Sequence, residues 1–308
     1  MIEKTYFLYK KQKKIRIYGF FFVSLHARMN DCALHIGNRL LAMNKPLVMG
    51  IINVTPDSFA ISCQSMSEEE IQRSAATAIA DGADILDIGG MSARPDSQAV
   101  SLEEEWSRVE RALKIIRKQW PNIPLSVDTY RAEVAHRATD VYGVEIINDI
   151  SGGELDEQMF DVVARSGATY VLMHMRGTPA TMSGLTEYDD LMSTLLGYFA
   201  ERVDRLHQLG VSDVILDPGF GFAKNQQQNY EILSRLADLQ VFRLPILAGL
   251  SRKRMIYNVL GSTPQADDTL LGTCALNMAA LLNGANILRV HDVAEAVKTI
   301  QLFEQIRK

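Results

Sequence analysis

From residue 47 to the C-terminus, short apolar runs alternate with helical patterns about eight times, and this alternation leaves few architectures open. The runs cover 47–52, 85–88, 125–127, 145–147, 169–172, 214–216, 245–248 and 287–290. An apolar run buried on both faces is a parallel strand, and a parallel strand needs a long crossover, which a helix supplies. The spacing predicts helices over 67–81, 102–118, from about 131, over 156–166, 188–209, 227–239, 252–260 with 267–282, and 293–306. Ser67 stands as N-cap with Glu70 at the capping-box position, Pro121 and Pro124 close the second helix, and Gly210 follows the fifth. A single (β/α)8 barrel over 45–308 follows, with residues 1–44 expected as a short extension outside it.

Composition removes the alternatives. In 308 residues, 22% charged and 47% hydrophobic side chains are ordinary globular values, which excludes coiled coil, collagen-like and disordered classes. A net charge of -5 gives no basic footprint for nucleic acid, so phosphate binding has to be local. Cys32, Cys63 and Cys274 are odd in number and widely spaced, which speaks against a disulfide scaffold or a zinc site and fits a reducing cytoplasm. No apolar run reaches the roughly 20 residues that span a bilayer. Residues 10–16 are basic and 17–27 apolar, the order of a secretion signal, but His26 interrupts the apolar part and no small-x-small cleavage site follows. This stretch is read as an upstream extension, with Met29 or Met43 as the natural start.

What ends each run matters more than the count. The ends are Asn53, Asp87, Asp128, Asn148 with Asp149, His174, Asp217, Ser251 with Lys253, and Arg289 with His291. One polar strand end is unremarkable, being an N-cap or a solvated turn; eight would converge on one rim of a closed barrel.

Four segments carry chemistry. Leu216-Asp-Pro-Gly-Phe-Gly-Phe-Ala-Lys224 holds a carboxylate, two phenylalanines and a lysine around turning glycines, a loop able to bind a flat ring. Gly249-Leu-Ser-Arg-Lys-Arg254 places three cations at a helix start, against the dipole, which fits an anion site. Arg289-Val-His-Asp292 follows the last strand, where barrels bind phosphate, with Arg289 and His291 on one side of it. Asp87-Ile-Gly-Gly-Met-Ser-Ala-Arg-Pro95 offers Arg94 as a phosphate clamp. Asp128 and Asn148 can read the donor and acceptor edge of a heterocycle, or can equally be buried caps. Walker, HExxH and G-x-S-x-G motifs are missing, so kinase and hydrolase classes lose support.

Six ordered motifs, MGIINVTPDSF, SVDT, IINDI, DPGFGFAK, GLSRK and RVHD, together resemble the dihydropteroate synthase family from about residue 47 onward. The resemblance implies a Mg²⁺-assisted, largely dissociative condensation of 6-hydroxymethyl-7,8-dihydropterin pyrophosphate with para-aminobenzoate. The products are 7,8-dihydropteroate and pyrophosphate, in folate biosynthesis. It implies a cytoplasmic homodimer and a sulfonamide target. By position, Asn53 resembles the metal contact, and Asn53, Arg94, Arg289 and His291 the diphosphate contacts. Asp128, Asn148, Met173, Asp217 and Lys253 resemble the pterin readers, and Phe59, Pro95, Phe222 and Ser251 the aminobenzoate pocket. Asp128, Lys253 and Arg94 would act on the reacting groups.

Two loops depart from the family. Ala60-Ile-Ser-Cys63 replaces Ser-Asp-Gly-Gly and stiffens the first loop, and Gly90-Met-Ser-Ala-Arg-Pro-Asp96 replaces Gly-Glu-Ser-Thr-Arg-Pro-Gly. Ala93 lacks the hydroxyl of the family threonine. An active enzyme with altered loop closure is expected. A non-catalytic pterin-binding paralogue and a pterin-dependent methyltransferase to a corrinoid protein are the alternatives.

Overall fold

The computed structural model describes residues 33–37, 39–55, 66–92 and 100–307. Eight parallel strands form one sheet: β3 (Leu47–Asn53), β4 (Ile85–Gly89), β5 (Leu125–Asp128), β6 (Ile146–Asp149), β7 (Thr169–Met173), β8 (Val214–Asp217), β9 (Leu247–Ala248) and β10 (Ile287–Val290). Their order is β8-β7-β6-β5-β4-β3-β10-β9, and a parallel Leu216–Ile246 bridge joins the last strand to the first, closing a barrel.

Helices α1 (Glu68–Ala80), α2 (Leu102–Gln119), α3 (Ala132–Tyr142), α4 (Met159–Ser166), α5 (Leu191–Gln208), α6 (Gln226–Ser234), α7 (Arg254–Leu260), α8 (Asp267–Leu282) and α9 (Val293–Arg307) follow the strands. The Ser67 and Glu70 capping box is formed, with both reciprocal hydrogen bonds present. Helix α4 starts three residues later than expected, after a turn in which Asp156 Oδ1 accepts from the Gln158 amide at 3.1 Å while its Oδ2 accepts from the Ala132 amide of α3 at 2.8 Å. Helix α6 ends at Ser234, and the expected remainder to 239 is 3-10 helix over Leu236–Phe242.

Strand alternation divides the core in two. Outward residues such as Val48, Ile52, Leu86, Ile88, Val127, Tyr170 and Leu216 pack against the helices. Inward, Leu47, Met49, Ile85, Ile146, Val171, Ile215, Leu247 and Ile287 form one apolar ring near the lower end.

That ring is covered from below. An antiparallel hairpin, β1 (Ala33–Ile36) and β2 (Arg39–Ala42), brings Leu34 and Ile36 together with Met43 onto it. The hairpin is also clipped at the edge: Thr169 Oγ1 donates to the His35 carbonyl at 2.5 Å, and the His35 amide to Asp213 Oδ1 at 2.9 Å. Leu34, Ile36 and Met43, expected outside the barrel, instead pack on its floor; residues 1–32 and 38 lie outside the described residues. Without such a cover the ring would face water, losing roughly 25 cal/mol for each Å² exposed.

Leu34 is 1% exposed, so Leu34→Ala should lower the free energy of unfolding by about 2–5 kcal/mol. Urea unfolding at constant m-value checks this. A loss under about 0.5 kcal/mol would show that the hairpin is not part of the packed floor.

Candidate active site

One step above the apolar ring, the inward positions turn polar. Asp87 of β4 pairs in register with Ser126 of β5, Asp128 of β5 with Asn148 of β6, and Asp217 of β8 with Met173 of β7. Since each of these residues still lies in the strand ladder, backbone pairing fixes it before any ligand arrives.

Asp87 is fully buried and is the hub. Its Oδ1 accepts from Ser126 Oγ at 2.6 Å, and its Oδ2 from Asn148 Nδ2 at 3.1 Å and from Arg289 Nε at 2.6 Å. The second fork of Arg289 donates from Nη2 to Asp128 Oδ2 at 2.6 Å. Arg289 thus reaches from β10 past β3 to two carboxylates. Burial works against its charge, but Asp87 and Asp128 hold its proton more tightly than usual. The Asn148 amide thus turns its nitrogen to Asp87, which leaves its oxygen free of that contact.

Burial pushes the Asp128 carboxyl up to about 7; Arg289 opposes this, and Asp87, Glu105 and Asp149 add to it. Asp217 is also raised by burial, against the pull of Lys253, and its Oδ1 accepts from the Gly219 amide at 2.7 Å. Lys253 is brought down to about 8 by burial, with Asp217 opposing. Its Nζ donates to the Phe220 carbonyl and lies 4.6 Å from the centre of the Phe222 ring, within cation–π range. Phe222 also packs with Met173, Ile150 and Met182, an apolar wall beside the polar cluster.

Not every strand end points inward. Asp149 and His174 sit one residue past an inward position, so the pleat aims them at the helices. Asp149 takes the Tyr170 hydroxyl at 2.6 Å and the Ser151 and Gly153 amides, and His174 stacks edge-on to Tyr198. Of the two loop phenylalanines, Phe220 is in the core and only Phe222 faces the pocket. Of the three cations expected at a helix start, Arg252 pairs bidentately with Asp292 at 2.8 Å and Arg254 is exposed; Lys253 alone reaches the pocket. Helix α7 begins only at Arg254, so Ser251 precedes it and instead bonds His291 Nδ1 at 3.0 Å.

Asn53, exposed at the end of β3, carries its Oδ1 over Gly89, where an added Cβ would lie 3.3 Å from it and 3.9 Å from Asp128 Oδ2. Glycine keeps that corner open. Among the described residues no three His, Cys, Asp or Glu side chains gather as a metal site. The Asn53 amide oxygen there is a donor of the kind a hard cation such as Mg²⁺ takes, most of whose shell would be water and substrate oxygens. Phe59, Arg94, Pro95 and the variant segments 60–63 and 93–96 lie outside the described residues.

The residue missing from the expected site is Asp87. Its signal was present: a carboxylate inside the apolar run Ile85-Leu-Asp-Ile88 needs a buried partner. Glu105, also fully buried, lies in a run of three glutamates and carries no such signal; it takes Thr129 Oγ1 at 2.6 Å and Arg131 Nη1 at 2.7 Å, while Arg131 holds the Val100 carbonyl. That network ties the chain after β5 to the far end of the loop that follows β4.

The family of pterin binding enzymes matches residues 49–291. Dihydropteroate synthase of Synechocystis sp. is 41% identical over 263 residues, covering 84% of this chain and 90% of its own. The Escherichia coli K12 dihydropteroate synthase is 41% identical over 267 residues, covering 86% and 93%. Among solved structures, Yersinia pestis dihydropteroate synthase in a sulfonamide drug complex superposes with a TM-score of 0.83 at 36% identity, covering 90% of this chain and 99% of that one. A Xanthomonas albilineans dihydropteroate synthase in complex with 7,8-dihydropteroate gives a TM-score of 0.78 at 34% identity, covering 90% and 99%. The barrel, its polar upper layer and these relatives agree: the chain belongs to the dihydropteroate synthase family of pterin-binding enzymes.

Proposed function

We propose that this chain is a transferase that condenses 6-hydroxymethyl-7,8-dihydropterin pyrophosphate with para-aminobenzoate to give 7,8-dihydropteroate and pyrophosphate, a step of folate biosynthesis. The observation that carries this is the polar layer in which Asp87 aligns Arg289 and Asn148 opposite Asp217 and Lys253. Asp217 accepts from the pterin ring N–H and exocyclic amine, Asn148 offers its oxygen to a further donor, and Lys253 donates to ring acceptors. Met173 lines the slot. Asp128 favours the positive charge that develops on the pterin as the leaving group departs.

At the diphosphate end, Arg289 has Nε and Nη2 engaged, so Nη1 is the edge that meets the leaving group, with Asn53, His291 and Arg94. Mg²⁺ held by Asn53 and the diphosphate oxygens supplies charge neutralisation when bound. The aniline nitrogen is nucleophilic as it stands and needs little base assistance; the protein's part is to hold it in line. Phe59, Pro95, Phe222 and Ser251 form its pocket, which makes the same pocket a sulfonamide target.

Two wider expectations belong here. Val259 and Leu260 of α7 and Leu271 of α8 are 57%, 47% and 67% exposed, an apolar face that fits a second copy of the chain in a homodimer. Among the described residues no helix is long and apolar enough to cross a membrane, which accords with a cytoplasmic enzyme working on small molecules. A corrinoid methyltransferase would have no use for a diphosphate cluster, and a pterin-binding paralogue would bind without turnover.

Pyrophosphate release with Mg²⁺, measured with and without para-aminobenzoate, tests the function. Release that depends on aminobenzoate and matches dihydropteroate formed is expected; no release with bound pterin would leave the paralogue. Asp217→Ala should weaken pterin binding by roughly 100-fold, two charge-assisted hydrogen bonds being lost; unchanged affinity in a calorimetric titration would remove Asp217 from the site. In the pH profile, kcat/KM should rise as Asp128 loses its proton at about 7 and fall as Lys253 loses its own at about 8. Asp128→Asn should abolish the acidic limb, and a limb that persists in this variant would assign it to another group.

A further inference from the structure

Lys224 and His174 are buried together behind the pterin pocket, and the chemistry above uses neither. Lys224 is 7% exposed, and among the described residues no carboxylate lies within ion-pair distance of it. Its Nζ is surrounded by carbonyls instead: Phe222 at 2.9 Å, Gly219 at 3.1 Å and His174 at 3.2 Å, with His174 Nδ1 at 3.0 Å. Three protons serve three carbonyls. Burial and then Lys224 drive the His174 pKa down to about 2, so its ring is neutral beside the same nitrogen.

Backbone geometry explains why the carbonyls gather there. Gly219, Gly221 and Ala223 have φ of 71°, 80° and 48°, so left-handed residues alternate along the loop. The carbonyls are divided between two sides: those of Gly219 and Phe222 face Lys224, and that of Phe220 faces Lys253. Ala223 adopts this conformation despite its Cβ, which persists only where surroundings enforce it. A Cβ at Gly219 would stand 2.1 Å from the His174 carbonyl, so the loop lies directly on the end of β7 and Lys224 occupies that contact.

We propose that Lys224 is a positioning residue of the condensation, fixing from behind the loop where the Phe222 ring and the Phe220 carbonyl stand against Lys253. The role rests on the pocket assignment made under Proposed function. Water cannot replace the ammonium without opening the loop. The three carbonyls would then turn outward, carrying Phe222 away from the aminobenzoate and releasing Lys253 from its anchor.

The test is a double-variant cycle in the full chain on KM for para-aminobenzoate. Lys224→Met should raise KM by about 10-fold or more with thermal unfolding still cooperative, because an ångström of misplacement is costly. Phe222→Ala should raise it comparably, and the double variant should lie within about 2-fold of the worse single one, since both changes undo the same wall. Multiplying effects, or an unchanged KM in Lys224→Met, would overturn the role. If Lys224→Met does not fold, Lys224→Arg keeps charge and donors but spreads them in a plane that cannot serve carbonyls converging on one point. It should raise KM and show the same coupling to Phe222→Ala, and a KM equal to wild type would overturn the role. A wild type that forms no dihydropteroate overturns the reaction and the role with it; an active wild type with independent effects overturns the role alone.

Discussion

A fully buried carboxylate has to be matched by its surroundings, and Asp87 is matched from three other strands. Ser126 of β5, Asn148 of β6 and Arg289 of β10 all donate to it, so one side chain ties half the barrel's circumference across its interior. Removing one partner of such a buried ion pair typically costs about 3–5 kcal/mol because a charge is left uncompensated. The same contacts set the chemistry. Asp87 accepts from the Asn148 amide nitrogen, and it shares the Arg289 guanidinium with Asp128. One cluster thus couples the position of the Arg289 guanidinium to that of the Asn148 amide.

The eightfold alternation made most of the fold legible, because period two and period 3.6 are set by local geometry alone. Helix α8 and strand β10 fall where spacing puts them, and the Ser67–Glu70 box forms as written. The systematic difference lies at the strand ends. Strands expected to stop at 52, 88, 127, 147, 172 and 216 run on to Asn53, Gly89, Asp128, Asp149, Met173 and Asp217. A polar residue after an apolar run resembles the start of a loop, but here it still pairs with its neighbours. Asn53, Asp128, Asn148 and Asp217 therefore project from the ladder and are as rigid as the barrel, which a loop would not ensure.

What stayed hidden depends on contacts far apart in sequence. The hairpin strands 33–36 and 39–42 are only four residues each, and their reason to exist appears only when Met49, Ile146 and Ile215 have formed a ring that needs covering. Asp149 and His174 look like rim residues in a string of polar strand ends, yet inside and outside are separated by a single step of the pleat. Arg252, one of three adjacent cations, serves Asp292 and the Pro264 carbonyl and so braces the loops after β9 and β10. In each case residue type announced a polar role while direction, which only the assembled barrel supplies, chose the partner.

Direction also separates the two lysines that flank the loop after β8. Both are buried, and burial lowers both pKa values, Lys253 to about 8 and Lys224 to about 7. Their electrostatic surroundings then part. Asp217 acts on both, but Lys253 also feels Asp128 and, among the described residues, meets one backbone carbonyl, that of Phe220. Lys224 has its protons committed to three carbonyls and can take no ligand without releasing the chain. The same functional group thus meets one carbonyl beside two carboxylates on one face of the ribbon and three carbonyls on the other. The alternating left-handed residues Gly219, Gly221 and Ala223 make that division, because they decide which carbonyl turns to which lysine. Charge alone would have made the two lysines interchangeable; backbone handedness is what gives each its own work.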